Sequence, residues 1–473
     1  MDKMDRDQKE SNPSRRKFLE ISLLGMGGLS AGLFGLGSIG CDSRGTVNLK
    51  GSKPNILLIV ADDAGWRDVG FHDSEIKTPA IDYLAETGVE LNQFYVSPTC
   101  SPTRASLLTG KPASRFGILG PIAGKSRQVL PVDTPTLARL LRDSGYATAI
   151  TGKWHLGLRP ENGPHKYGFE YTYGYLHGQI DQYTHRYKFG DITWHRNNRF
   201  IEEKGHATDL ITNEAIQFIK QYRDRKKPFF LYVPYSVPHI PLQEEENWLS
   251  IYKDTIQNES RRAFAASVTH MDHAINLLIN TLEEENQREN TLVIFISDNG
   301  AQKDWMDVSD KYGGRHAPND QLGDNRPLRD WKASLYEGGI RVPAIFNWPG
   351  TINPGRVIDL TSVNDIFPTL AWLAGIDTAS QFDVEGINIW KAVQNNKSLG
   401  KRMLYWRTKN QFALRKGDWK LIVTGHTLED GITELFNIKN DPYEKTNAAG
   451  DHPDIVKDML EELKAQADLD QNL

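Results

Sequence analysis

Runs of uninterrupted apolar residues recur along the chain, and several stop abruptly at polar groups. The first, Ile56-Leu57-Leu58-Ile59-Val60, follows Pro54-Asn55 and reads as a strand buried on both faces, the kind a parallel sheet contains. Residues 91–96, 146–150, 229–233, 292–296 and 342–346 predict further strands. Between them the apolar period changes to 3.6. Thr78-Pro79 opens a helix that Gly88 ends, and Thr134-Pro135 opens one that stops near Gly145. Residues 207–222 carry Leu210, Ile211, Ile216 and Ile219 at helical spacing, and 261–285 carry Phe264, Val268, Met271, Ile275, Leu278 and Leu282 on one stripe. This alternation predicts an α/β fold: a large, mostly parallel sheet flanked by helices on both faces, over residues 54–375. No internal repeat is evident. After residue 375 the texture changes. Residues 411–415 and 419–423 flank Lys416-Gly417-Asp418, a hairpin signal; 433–438 adds a strand and 454–467 a closing helix. Residues 376–473 therefore predict a small C-terminal α+β subdomain.

The N-terminal 41 residues have a different pattern. Ser14-Arg15-Arg16-Lys17 precedes an apolar, glycine-rich stretch, the order of a secretory signal of the twin-arginine type. It ends at Ser38-Ile39-Gly40-Cys41, similar to a lipoprotein cleavage site, with Ser38 where leucine is usual. An uncleaved anchor is the competing reading: the stretch is long enough to span a membrane, but its glycines lower its hydrophobicity. Either way the body is expected to be exported, to the periplasm or cell surface, with Cys41 as the candidate lipid attachment and 42–53 as a linker.

Composition narrows the field. The 473 residues allow two or three domains, or one large domain with an appendage. Apolar residues at 39% and charged residues at 25% exclude disordered, collagenous and coiled-coil chains. A net charge of −5 gives no global basic field, so nucleic acid is not an expected partner. Two cysteines, Cys41 and Cys100, exclude a disulfide scaffold or a thiolate zinc cage.

The polar groups at the strand ends are the candidates for chemistry, because open α/β sheets bind ligands beyond the carboxyl ends of their strands. Asp62-Asp63 and Asp298-Asn299 each follow an apolar strand and offer hard oxygen ligands that suit Ca²⁺ or Mg²⁺ better than zinc. Three carboxylates at one spot repel unless a cation joins them. Taken singly, either pair reads as a turn. Cys100 lies in Ser97-Pro98-Thr99-Cys100-Ser101-Pro102-Thr103-Arg104, with Pro102 in the first helical turn and Gly110 as the stop. A helix N-terminus there favours an anion, and Arg104 turns back toward it. The competing reading is a buried structural cysteine. Lys153 and His155 sit two apart in a segment read as extended, His239 lies between prolines, and Lys332 precedes Glu337-Gly338-Gly339. Each alone is ordinary. Together with Arg104 they form a cationic cluster opposite a metal, a site for a tetrahedral oxyanion.

Cys100-Ser101-Pro102-Thr103-Arg104 fits the sulfatase signature Cys-x-Pro-x-Arg and is followed by Leu108-Thr109-Gly110. Asp62-Asp63, Gly152-Lys153-Trp154-His155-Leu156-Gly157, Pro238-His239, Asp298-Asn299-Gly300 and Lys332 with Glu337-Gly338-Gly339 fall in family order. From Pro54 onward the chain resembles the type I sulfatases. The resemblance implies an alkaline-phosphatase-like fold, conversion of Cys100 to formylglycine by a separate maturation enzyme, and one Ca²⁺ held by Asp62, Asp63, residue 100, Asp298 and Asn299. It implies attack by a hydroxyl of the hydrated aldehyde on sulfur, with Asp298 accepting its proton. Arg104, Lys153 and Lys332 offset charge, His239 with Lys332 protonates the leaving alcohol, and His155 assists sulfate release.

Within the family, Gly168-Phe169, the stretch from Tyr173 to Gly178 and Pro327-Leu328-Arg329-Asp330-Trp331-Lys332 are most similar to the N-acetylgalactosamine-4-sulfatase group, whereas Arg341-Val342-Pro343 follows a more general bacterial pattern. That implies a galactose-type O-sulfate in a polysaccharide such as chondroitin or carrageenan, with His177, Asp181, Arg326 and Arg329 as candidate sugar contacts and salt bridges as their structural alternative. Trp305 and Tyr312 are candidates for stacking or for packing. Two other functions compete: a phosphate or phosphonate ester hydrolase of the same superfamily, and a non-catalytic glycan-binding lipoprotein.

Overall fold

The apolar runs become the middle of one sheet. In the computed structural model, which describes residues 53–306, 312, 316–377 and 382–471, the first strands are β1 (Asn55–Ala61), β2 (Val89–Tyr95), β3 (Ala147–Lys153) and β4 (Tyr171–Tyr175). The short β5 (Arg186–Tyr187), β6 (Asp191–Ile192), β7 (Trp194–Arg196) and β8 (Arg199–Phe200) follow, then β9 (Phe229–Pro234), β10 (Thr291–Ser297), β11 (Ala344–Asn347) and β12 (Gly355–Ser362). The expected N-terminal signal, 1–41, and nearly all of the expected linker, 42–53, lie outside the described residues. Ten strands join in the order β12-β2-β11-β10-β1-β9-β3-β4-β7-β8, and β5 pairs with β6. Contacts β9-β1-β10, β9-β3-β4 and β12-β2 are parallel. β11 runs against both β10 and β2, so β2 points the same way as the centre. The five strands that lead to candidate residues therefore deliver them to one edge.

β1, β3 and β10 are buried at every position, as a sheet covered on both faces requires. Leu57, Ile59, Phe229, Leu231, Val233, Val293 and Phe295 pack on α1 (Pro79–Glu86), α4 (Ala207–Gln217) and α5 (Glu259–Glu284). Ile56, Leu58 and Val60 are equally buried on the other face, and α2 (Cys100–Thr109), α3 (Leu137–Asp143) and α6 (Ile366–Leu373) pack on one another. The C-terminal sheet is antiparallel, in the order β13 (Met403–Arg407), β14 (Gln411–Lys416), β15 (Trp419–Thr424), β16 (Ile432–Asn437). Its two faces alternate with period 2. Trp406, Ala413, Ile422 and Phe436 meet Tyr95, Leu335 and Ile340 of the main sheet's side. Phe412, Leu414, Leu421 and Val423 meet Met459 and Leu463 of α7 (Pro453–Ala467). Among the described residues no helix is long and apolar enough to cross a membrane.

The differences from the pattern-based elements have local causes. β4 reads Tyr-Thr-Tyr-Gly-Tyr, with no aliphatic residue to mark it. β7 and β8 are three and two residues long. β12 lies at the sheet edge, exposes Arg356 and Ile358, and shifts register between Val357 and Leu360. The α-helix expected over 207–222 ends at Gln217, and Phe218–Tyr222 continues it as a π-helical turn.

The loop after β9 is fastened by His270 of α5. Its Nδ1 donates to Glu244 Oε2 at 2.8 Å and its Nε2 to Asp209 Oδ1 on α4 at 3.0 Å, and its ring stacks on Trp248. Carboxylates accept at both nitrogens, so the ring is an imidazolium. His206 caps α4 by accepting from the Thr208 N–H, which leaves its own Nε2–H facing Glu244 at 3.6 Å. These three side chains lie close enough to group around a metal; with a carboxylate at each nitrogen of His270 they also form a hydrogen-bonded clamp. Burial alone pushes His270 down, but Asp209 and Glu244 outweigh it and raise it to about 9. A folded value above the unfolded one stabilises fully below ~6.5, and the contribution is lost as pH rises through the folded value. The stability difference between the native protein and H270Q, from urea unfolding, is expected to shrink by up to ~3 kcal/mol between pH 7 and 10. A difference independent of pH would contradict the clamp.

Candidate active site

β1 runs without a break into Asp62 and Asp63. Asp62 stays in register because its N–H donates to Val237 O, and Asp63 then turns with φ 75°, a left-handed conformation that a non-glycine residue holds only when its surroundings fix it. Asp63 N–H donates to Asp298 Oδ1 at 3.2 Å, which ties the end of β1 to the end of β10. α2 begins at Cys100, is buried along its whole length, and stops at Gly110, φ 69°. Its Arg104, also fully buried, reaches Asp298 Oδ2 through Nε at 3.1 Å and Nη2 at 2.7 Å. β3 ends at Lys153, whose Nζ lies 2.6 Å from Asp62 Oδ2. Gly152 just before it takes φ 135°, and a Cβ there would stand 1.9 Å from Pro234 O of β9. Lys332 places Nζ 2.6 and 2.7 Å from the two oxygens of Asp63, and Asn299 Nδ2 donates to the same carboxylate at 2.7 Å.

The thiol of Cys100 and carboxylate oxygens of Asp62 and Asp298 lie within 4.8 Å of one another. Cys100 is buried, and burial raises its thiol, with Lys153 and Lys332 opposing and Asp298 and Asp62 adding to the rise. The two neighbouring acids are driven apart. For Asp62, burial outweighs Lys153 and lifts the carboxyl to about 7, with Asp298 and Asp63 adding to the lift. For Asp63, burial is outweighed by Lys332, His239 and the Asn299 bond, which hold it well below the usual range. Asp62 Oδ1 and Asn299 Oδ1 are buried and have no hydrogen-bond partner. Two uncommitted hard oxygens beside Asp63, Asp298 and residue 100 fit a divalent cation, which would satisfy both.

The histidines are poised as neutral rings. His155 lies past the end of β3 with φ 59°, so the extended geometry expected through 153–155 stops at Lys153. Its Nε2 donates to Ile122 O at 2.9 Å, which leaves Nδ1 as a buried acceptor without a partner. Burial, then the charges of Lys153 and Arg104, hold it well below its ordinary value. His239 donates from Nδ1 to Ile240 O at 2.8 Å, and its Nε2 stands 3.7 Å from Asp63 Oδ2. Burial and Lys332 push it down to about 3.

The four candidate sugar contacts are dispersed in their roles. His177 stacks on Tyr187 and is bonded to Thr193 through Nδ1. Asp181 caps the turn at Tyr183 and Thr184 and accepts from Gln243. Arg326 projects outward in a pair with Asp324, and Arg329 lies over the Tyr336 ring at 3.8 Å and donates to Glu444 O. Trp305 packs against a cluster containing Leu242 and Phe264. Three neighbours escaped the sequence reading. Tyr232 OH lies 3.4 Å from Arg104 Nη1, Ser101 Oγ donates to His155 O, and Gly178 faces the His155 ring. Only Gly178 left a signal, as a glycine closing the aromatic stretch 173–178.

A Cβ on Gly178 would stand 2.5 Å from the His155 ring. Gly178→Ala is therefore expected to push the ring off Ile122 and to cost ~1–3 kcal/mol, read from the urea midpoint and from the ring position in a crystal of the variant. An unmoved ring would refute this packing.

Comparisons with known proteins identify the family. The sulfatase family profile matches residues 54–376, and the profile described as N-sulphoglucosamine sulphohydrolase, C-terminal, matches 330–469. The chain is 32% identical to arylsulfatase J of Mus musculus over 87% of this chain and 75% of that protein. It is 32% identical to N-acetylgalactosamine-6-sulfatase of Canis lupus familiaris over 78% and 71%. The solved structure of Ps i-CgsB, 31% identical, superposes with a TM-score of 0.78 over 89% of this chain and 94% of that one; the same protein has also been solved with k-i-k-neocarrahexaose bound. With the matched profile covering most of its length, the chain belongs to the sulfatase family and is a sulfuric ester hydrolase.

Proposed function

We propose that this sulfatase removes O-sulfate groups from a galactose-type sugar of a sulfated polysaccharide. In this reading Cys100 is the formylglycine precursor, matured by a separate enzyme, and Asp62, Asp63, residue 100, Asp298 and Asn299 hold Ca²⁺. The observation that carries it is the convergence of Cys100, Asp62 and Asp298 within 4.8 Å, ringed by Arg104, Lys153 and Lys332. The sugar class rests on the relatives: one is named for N-acetylgalactosamine and another holds neocarrahexaose. The twin-arginine pattern supports export, and Ser38-Ile39-Gly40-Cys41 supports lipid attachment at Cys41.

The modified residue and the cation, when present, would supply a hydroxyl nucleophile and polarisation of the sulfate oxygens. The chain's own side chains do the rest. Arg104 and Lys153, fixed on Asp298 and Asp62, offset the negative charge that grows on the sulfuryl oxygens, and their rigidity means no reorganisation at the moment of reaction. Asp298 is the proton acceptor for the nucleophile. Lys332 and His239 share the proton that reaches the leaving alcohol. His239 is neutral in the free protein, and an incoming sulfate favours its protonated form. His155, neutral and with Nδ1 uncommitted, accepts the proton that accompanies sulfate release.

Sulfate release from a panel of sulfated galactose and glucosamine oligosaccharides tests the substrate, with mass spectrometry of the Cys100 peptide to establish maturation. Release only from glucosamine substrates would refute the galactose assignment, and faster cleavage of aryl phosphate than aryl sulfate would favour phosphate ester hydrolysis. Cys100→Ala is expected to abolish turnover while leaving the unfolding midpoint near that of the native protein; retained activity would contradict the nucleophile. Removal of bound metal by a chelator is expected to lower turnover by roughly 10²-fold or more, with recovery in Ca²⁺ and not in Zn²⁺.

A further inference from the structure

β15 of the C-terminal sheet carries a fully buried cation, Lys420, on the face where alternation places Ile422. Its pairing partner on β14 is Arg415, also buried and aimed at the same interface. Two cations side by side on one face repel. They are matched by two buried acids from elsewhere: Lys420 Nζ lies 3.0 Å from Glu337 Oε1 and 2.8 Å from Glu444 Oε1, and Arg415 Nη1 lies 3.9 Å from Glu337. Tyr95 OH donates to Glu337 Oε2 at 2.8 Å, and Arg341 stands 3.6 Å from it. Burial opposes charge on Glu337, but Lys420, Arg415 and Arg341 outweigh it and hold the carboxyl low. Buried ionic clusters of this kind seldom stabilise a fold more than apolar packing does; they select one geometry.

That geometry is transmitted to the active site. Glu337 is gripped twice, by its carboxylate and by its N–H, which donates to Glu444 Oε2 at 2.7 Å. The residues around it have no slack. Gly338 N–H donates to Arg329 O, Gly339 O accepts from Gly300 N–H, Lys332 N–H donates to Ala301 O, and Ala333 N–H donates to Pro98 O two residues before Cys100. A Cβ on Gly300 would stand 1.7 Å from Gly338 O, and one on Gly338 2.3 Å from Asp330 O. A continuous set of backbone bonds and close approaches thus links Glu337 to Lys332 and to the turn that carries Asp298 and Asn299.

We propose that Lys420, acting through Glu337 and Glu444, is a positioning residue for the reaction, so that the C-terminal sheet sets the place of Lys332 beside Asp63. This rests on the role given above to Lys332 at the leaving oxygen. Lys420→Met, in the full matured chain, is expected to lower kcat by roughly 10–10²-fold on phenyl sulfates, with KM changed less than about two-fold. The dependence of kcat on leaving-group pKa should steepen, and amide exchange across 329–340 should quicken. Lys416→Met, which breaks an exposed pair between the same sheet and Glu462 of α7, should match the native enzyme in both. If Lys420→Met does not fold, Glu444→Gln, which keeps an acceptor for Glu337 N–H, makes the same test. Native slope and native exchange in a folded variant overturn the proposal, as does failure of both variants to fold. Lower kcat and faster exchange at an unchanged slope support the positioning and count against the role of Lys332.

Discussion

Burying Asp62, Asp63 and Asp298 together is the constraint on which the site depends. Carboxylates taken out of water must meet positive charge or lose their own. The fold answers with three cations from three segments: Lys153 from β3, Arg104 from α2 and Lys332 from the loop before β11. Their distribution is uneven. Lys332 and Asn299 converge on Asp63, whereas Asp62 keeps one oxygen unbonded, and the two adjacent acids are pushed in opposite directions. An incomplete charge balance of this kind fits a cation and an anionic substrate.

Precision in such a site comes from what lies behind it. Apolar strands buried on both faces cannot slip in register without exposing hydrocarbon, so the residues at their ends are placed to within the sheet's own tolerance. The loops are less constrained by packing and are held by specific bonds. The His239 loop leads to the His270 clamp, and the Lys332 loop to the ionic cluster at Glu337. Both histidines at the site are kept neutral by burial, and each has one nitrogen committed to a backbone carbonyl, which fixes the tautomer and makes the other nitrogen an acceptor.

Much of this was legible in the order of residues. A five-residue aliphatic run such as 56–60 has few places to go except the centre of a covered sheet, and a polar pair at its end marks the edge. Cys100 and Arg104 share a ten-residue helix whose stop, Gly110, is written in the chain. The signature residues belong to local segments, so their spacing survives in sequence. β4, β7 and β8 were not legible, because aromatic and two- or three-residue strands carry no periodic signal.

Hydrophobic period and local motif thus determined the class of fold, the edge at which polar groups gather and most of the residues brought together there. Tertiary structure alone decided which cation meets which acid, which histidine nitrogen is free, and that Lys420, 88 positions from Lys332, is tied into the same framework. The physical reason is range. Period and capping act over a few residues, whereas a buried charge is matched by whatever the folded chain brings within a few ångströms, irrespective of distance along the sequence.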